Sequence, residues 1–105
     1  MQFRVLTLVT LLITSSCSRQ PNAEDARIFL DNAEAELLKL SNAHGQAAWV
    51  AATYITVDTE ALAAAASERQ IQAAVRYAKT AASFDKVPLP GDLARKMKLL
   101  QTSLT

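Results

Sequence analysis

The sequence predicts an all-α fold: a long antiparallel helical hairpin followed by a third, truncated helix. Two long segments, from Glu24 to about Ile55 and from Ala61 to Phe84, contain no proline and a single glycine, Gly45. Within them, apolar and small residues recur at alternating steps of three and four, which is the spacing of one packed helix face. Because only residues 56–60 separate the two segments, we expect the helices to run antiparallel.

The composition limits this chain to one small domain. It has 105 residues, and although half of them are hydrophobic, many of these are alanine and aromatic residues make up only 6%. A core built from such residues is thin for the chain length. The formal net charge is +1, which gives no strong field to attract nucleic acid, so we expect no nucleic-acid partner.

The charges are divided unevenly along the chain. Residues 22–60 carry seven acids against two bases, and residues 61–105 carry seven bases against three acids, which gives the halves net charges of about −5 and +4. One interpretation is that these are solvated helix faces that attract each other weakly. The other is a basic surface for an anionic partner. We favour the first, because no aromatic platform accompanies the basic residues.

Residues 1–17 have the layout of a secretory signal peptide. A short, positively charged start is followed by the apolar segment 5–13, which is too short to span a bilayer, and then by small residues. Cys17 is the single cysteine, and its position resembles a bacterial lipoprotein processing site, although Thr14 stands where an aliphatic residue is usual. Either Cys17 is the acylated residue of a lipoprotein, or it is incidental in a cleaved leader. We expect an exported protein, periplasmic or held at the membrane by the lipid.

Residues 18–23 form a polar tether ahead of the first helix. Asn22 is the predicted N-cap, with acidic residues in the first turn of a helix that starts at Glu24. The packed face of this helix is the stripe Ala26, Leu30, Ala33, Leu37, Leu40, His44, Ala47, Ala51 and Tyr54. Trp49 and Tyr54 are the bulky residues near its end, and both are candidates for packing or for covering a site.

His44 is the single histidine, and it falls on the apolar stripe. A catalytic or metal-binding role would require partners, and the helices contain no further histidine or cysteine. We therefore favour a packing histidine that makes a hydrogen bond.

The second and third helices follow segments with turn-like composition. In residues 56–60, either Thr56 or Asp58 is the predicted N-cap of the second helix. Its predicted stripe of small residues is Ala64, Ser67, Ile71, Ala74, Ala78 and Ala81, with Val75 and Ala82 alongside.

Residues 85–92 contain two prolines and a glycine and are predicted to form a loop. Gly91 or Asp92 then caps a third helix. The apolar face of that helix is Leu93, Met97, Leu100 and Leu104. The amphipathic pattern continues to Thr105 without a signal that would end the helix, which indicates a truncated helix.

The segment from Ala48 to Glu60 resembles the N-terminal region of the angiotensin-converting enzyme family, whose members are zinc-dependent peptidyl-dipeptidases. There an Ala-Trp or Asn-Trp pair ends a long first helix, as Ala48-Trp49 does here, and an Asn-Ile-Thr-x-x-Thr turn starts the second, as in residues 54–59. This chain departs from the pattern at Tyr54, where the family commonly has asparagine. The sequence Ser83-Phe84-Asp85 is similar to the next landmark, a Phe-Asp pair that closes the second helix.

The resemblance implies that residues 24–105 are the helical lid of an incomplete peptidase domain of bacterial type, placed over a deep substrate channel. In that family the zinc ligands, a His-Glu-x-x-His motif and a later glutamate, lie far downstream. One histidine cannot supply them, so the resemblance assigns no catalytic residue and no metal ligand to this chain. Zinc, peptide substrates and the release of C-terminal dipeptides would belong to the complete protein, and the partner of this chain would be the remainder of the peptidase domain.

Two functions therefore compete. In the first, the chain is the N-terminal fragment of a secreted zinc metallopeptidase and is not catalytic alone. In the second, it is a small anchored lipoprotein whose hairpin binds or oligomerises through its Ala/Leu seams. An independent hydrolase has no support from residue spacing, since no nucleophile–base pair involves His44.

Overall fold

A computed structural model describes residues 19–103, which form three α-helices and no β-strand. The elements are α1 (Ala23–Thr53), α2 (Val57–Ala81), a short 3₁₀ turn (Ala82–Phe84) and α3 (Gly91–Thr102). Helix α2 packs against both α1 and α3. The predicted all-α hairpin with a third helix is confirmed. The predicted leader, Cys17 and Leu104 lie outside the described residues.

Helix α1 begins at the predicted cap. The backbone N–H of Asp25 donates to Asn22 Oδ1 at 2.9 Å, and the backbone N–H of Asn22 donates to Asp25 Oδ2 at 3.0 Å. This reciprocal pair satisfies two of the free N–H groups at the helix start. Helix α1 then runs for 31 residues, a length of about 46 Å.

Two threonines build the link between α1 and α2. Thr56 is the N-cap of α2, so it fills the role for which Asp58 was the alternative. The backbone N–H of Thr59 donates to Thr56 Oγ1 at 3.1 Å, and the backbone N–H of Thr56 donates to Thr59 Oγ1 at 3.0 Å. Thr59 Oγ1 also donates to the carbonyl of Tyr54 at 2.7 Å, which ties the end of α1 to the start of α2.

The predicted stripe on α1 is correct over most of its length. Ala26, Leu30 and Ala33 are buried, and the members from Leu37 to Ala51 are half-buried. Tyr54 was wrongly placed on it. Helix α1 ends at Thr53, and the Tyr54 backbone has left the helical region, with φ −134° and ψ 87°. Its side chain is therefore 70% exposed.

The predicted stripe on α2 is partly wrong. Ala78 and Ala81 are buried as expected, but Ala64 and Ile71 are exposed. The less exposed face that follows the seam runs through Thr59, Ala63, Ala66, Gln70, Ala73, Tyr77 and Ala81. Alanine occurs on every side of α2, so its spacing alone does not distinguish the packed side. The polar residues Gln70 and Tyr77 mark that side, because they hydrogen-bond to α1.

The main hydrophobic core lies where the start of α1, the end of α2 and α3 meet. Its buried members are Ala26, Leu30, Ala81, Phe84 and Met97, and partly buried apolar residues surround them. Phe29 stacks on Phe84 with ring centroids 5.2 Å apart. Gln101 Nε2 donates to the carbonyl of Ala81 at 3.0 Å, which fastens α3 to the end of α2. The hairpin is therefore closed at this end.

Helix α3 begins earlier than predicted. Gly91 and Asp92 lie inside the helix, and Pro90 precedes it without a side-chain capping bond. Proline's restricted backbone, here with φ −56°, leads directly into the first turn. None of the helices described over residues 19–103 is both long and apolar enough to cross a membrane.

Replacing either linking threonine should loosen the hairpin. We expect Thr56→Ala and Thr59→Ala each to lower the free energy of unfolding by about 1 kcal/mol, because each removes one half of the reciprocal cap. Urea titration followed by far-UV circular dichroism measures this change. Thr80→Ala is the matched control, since Thr80 Oγ1 donates to the carbonyl of Arg76 within α2. Equal midpoints for Thr56→Ala and Thr80→Ala would contradict the role given to the link.

Candidate functional site

The end of the hairpin that carries the link exposes a cluster of large apolar side chains. Trp49, Tyr54, Ile55 and Val57 are 68%, 70%, 75% and 82% exposed, and we call these four residues the apolar tip. They lie at or beside the link, at the opposite end of the hairpin from the core. Single exposed apolar residues are ordinary, but four of them near one end of a hairpin make that end a candidate contact surface.

A groove of about 310 Å³ lies beside the tip, between the last turns of α1 and the first turns of α2. We call it the distal groove. Six of the residues that line it are Ala43, Ala47 and Val50 on α1 and Leu62, Ala66 and Arg69 on α2. The alanines make its floor shallow and apolar, while Arg69 is the one charged side chain among the lining residues in the described part of the chain.

His44 is half-buried on the seam, where Nδ1 donates to Gln70 Oε1 at 2.8 Å. This bond joins the two helices about midway between the core and the tip. Within residues 19–103, no three histidine, cysteine, aspartate or glutamate side chains come close enough together to hold a metal ion. His44, Trp49 and Tyr54 therefore do not form one site: His44 contacts α2, while the two aromatic residues face solvent.

A polar network that the residue patterns did not reveal joins the middle of α1 to α2. Glu36 accepts hydrogen bonds from the Tyr77 hydroxyl and from Arg76 Nη2, the latter at 2.8 Å. The Arg76 guanidinium also lies over the Tyr77 ring, 5.2 Å from its centroid. A second ion pair, between Glu34 and Lys96 Nζ at 2.9 Å, joins α1 to α3.

Hydrogen bonding changes the acidity of both partners in this network. The Tyr77 hydroxyl, followed by the charge of Arg76, lowers the pKa of Glu36. The same carboxylate raises the pKa of Tyr77. The opposite net charges of the two halves were the one sign of these contacts in the sequence. The ion pairs Glu36–Arg76 and Glu34–Lys96 each join the acidic first half to the basic second half.

The sequence profile of peptidase family M2, described as angiotensin-converting enzyme, matches residues 20–105. The chain belongs to the angiotensin-converting enzyme family. Comparison with curated proteins gives no match, and comparison with solved structures gives none either. The matched range takes in the tip, the link, the Glu36 network and α3.

Angiotensin-converting enzyme family members are zinc-dependent peptidases, and residues 19–103 do not fit a zinc site. His44 is the one imidazole, and its Nδ1 is held by Gln70. Acidic residues of α1 are occupied by basic partners: Glu24 and Asp31 by Arg27, and Glu36 by Arg76. The features that residues 19–103 do present are a helical hairpin, an apolar tip and a groove.

The Glu36 network should make stability depend on acid pH. Because the pKa of Glu36 is lower in the folded chain than its ordinary value of 4.5, its contribution is present above that value and is lost as the pH falls through the folded pKa. We expect the urea concentration at which half of the wild-type protein is unfolded to decrease when the pH is lowered below 4.5. At neutral pH the urea midpoint of Glu36→Gln should be lower than that of the wild type, and it should decrease less as the pH falls. The midpoint of Tyr77→Phe should lie between those of the wild type and Glu36→Gln.

The matched control for this pH series is Glu68→Gln. Glu68 accepts a hydrogen bond from Gln72 of its own helix, at 2.9 Å, so its loss should leave the pH profile of the wild type almost unchanged. A profile for Glu36→Gln that is parallel to that of the wild type would show that the cross-hairpin bonds contribute nothing.

Proposed function

We propose that residues 24–105 are the N-terminal helical lid of a secreted zinc metallopeptidase that removes dipeptides from the C-terminus of peptides. The match to the angiotensin-converting enzyme family over residues 20–105 carries this proposal. The partner of the chain is the remainder of the peptidase domain, and peptides are the substrates of the complete protein. In this proposal the zinc is held by residues outside 19–103, and the lid takes no direct part in the chemistry.

The distribution of packing in the hairpin supports a lid. One end has its own core, formed with α3, whereas the tip has large apolar side chains with nothing over them in the described chain. A lid requires this arrangement, because one end must hold its shape while the other makes contacts that form and break. Trp49 and Tyr54 are the residues we assign to the contact with the peptidase body.

The complete protein provides the test. We expect the gene to encode His-Glu-x-x-His after Thr105, and the complete protein to release dipeptides from an N-blocked peptide in a reaction that a zinc chelator stops. The 105-residue chain alone should show no such activity. In the complete protein, Trp49→Ala should raise kcat/KM for long peptides relative to short ones by about fivefold, because a lid that contacts the peptidase body less firmly restricts access less.

The matched control is Leu38→Ala, which shortens an exposed apolar side chain of α1 away from the tip. It should leave the ratio of long to short substrates unchanged. A complete protein without dipeptidase activity would refute the peptidase proposal, whereas unchanged selectivity in Trp49→Ala would refute the lid role and leave the activity standing.

We also propose that residues 1–17 direct export and that Cys17 carries a lipid anchor, with residues 18–23 as the tether. The basis is the order of charged, apolar and small residues in the sequence. Cells fed a palmitate analogue should label the wild-type protein and not Cys17→Ala. Equal labelling of the two proteins would refute the lipid anchor and would favour an ordinary cleaved leader.

A further inference from the structure

One side of α2 carries a row of residues with opposite charges at its two ends. Asp58, Leu62, Ala65 and Arg69 follow one another at steps of four, three and four, which places them in line along the helix. Asp58 and Arg69 are separated by about 16 Å along the axis. Leu62, between them, is 63% exposed, and Leu62 and Arg69 both line the distal groove.

Neither end charge forms an ion pair within the described residues. The ion pairs formed among residues 19–103 join basic residues to Asp25 and to other acids of α1, and neither Asp58 nor Arg69 takes part in one. Both side chains are exposed. The row therefore has an available negative end, an apolar centre and an available positive end.

Such a row is complementary to itself when a second copy lies antiparallel. With a two-fold axis between Leu62 and Ala65, Asp58 of each copy meets Arg69 of the other, and each Leu62 lies over the small Ala65 opposite. A parallel arrangement would instead place like charges together. In a two-fold dimer each favourable contact occurs twice, so even a short surface can provide enough contacts for an interface.

We propose that a second copy of this chain docks antiparallel on the Asp58–Arg69 face of α2, with Leu62 of each copy packed on Ala65 of the other, at the edge of the distal groove. This contact differs from the Ala/Leu seam, which α1 and α2 already fill within one chain. The inference does not rest on the peptidase proposal, since Trp49 and Tyr54 are not among the residues that line the groove.

Charge reversal on the full chain tests this geometry. Sedimentation velocity over a concentration series should show a dimer, and raising the salt concentration should weaken it. Asp58→Arg and Arg69→Asp alone should each raise the dimer dissociation constant about tenfold, because each creates two like-charge contacts. The double variant Asp58→Arg/Arg69→Asp should restore the wild-type constant to within about twofold, since it exchanges the partners of the same pairs.

Restoration separates docking from folding, because the double variant contains both substitutions that could damage α2. Arg95→Asp, an exposed charge on α3 outside the ion pairs of the described chain, is the matched control and should leave the constant unchanged. The proposal is wrong if the wild type is a monomer at every concentration. It is also wrong if the wild type is a dimer and neither Asp58→Arg nor Arg69→Asp changes the dissociation constant. Failure of the double variant to recover, with helicity retained, also overturns it.

Discussion

The close approach of α1 and α2 along a seam of alanines is the constraint on which the rest of the structure depends. Small side chains such as Ala33, Ala66 and Ala73 are buried there, which lets two long helices lie side by side. Each alanine buries little apolar area, so the seam itself contributes modestly to stability. Polar side chains that border the seam add specific contacts between the two helices, in particular Glu36 with Arg76 and Tyr77, and His44 with Gln70.

The same constraint explains why the two ends of the hairpin differ. At one end, Leu30, Phe84 and Met97 supply the bulk that the alanines lack, and α3 closes over them. At the other end the bulky residues Trp49, Tyr54, Ile55 and Val57 point away from the seam. This difference between a packed end and an exposed end suits the lid role proposed above, in which the exposed end contacts the rest of the peptidase domain.

The fold was largely predictable because helix periodicity is a local property. The stripe on α1, the Asn22 cap and the alternative of a Thr56 cap were all visible in the spacing of residue types. The packed side of α2 was not predictable in the same way, since alanine on every face left no contrast, and Ala64 and Ile71 proved to be exposed. Tyr54 was misplaced because the helix pattern was continued one residue past the true end of α1.

The candidate site was less predictable, for a physical reason. Glu36 and Tyr77 are separated by 41 positions, and only the folding of the hairpin brings them together. The apolar tip is defined by what does not cover it, and exposure is a property of the packed molecule rather than of a residue type. Trp49 was identified by its bulk and by the Ala48-Trp49 pair that carries part of the family resemblance, and its exposure was not predicted. The family match, rather than geometry, connects this surface to peptidase chemistry.

The reciprocal threonine cap also has a mechanical consequence. Thr56 and Thr59 each hold the other's backbone N–H, and Thr59 Oγ1 also donates to the carbonyl of Tyr54, so we expect the elbow of the hairpin to resist bending and the two helices to move together. The pivot of such a motion is the core beside α3, about 35 Å from the elbow at 1.5 Å per helical residue. A rotation of about 10° at that pivot moves the far end through about 6 Å, so a slight repacking around Met97 becomes a larger displacement at the elbow.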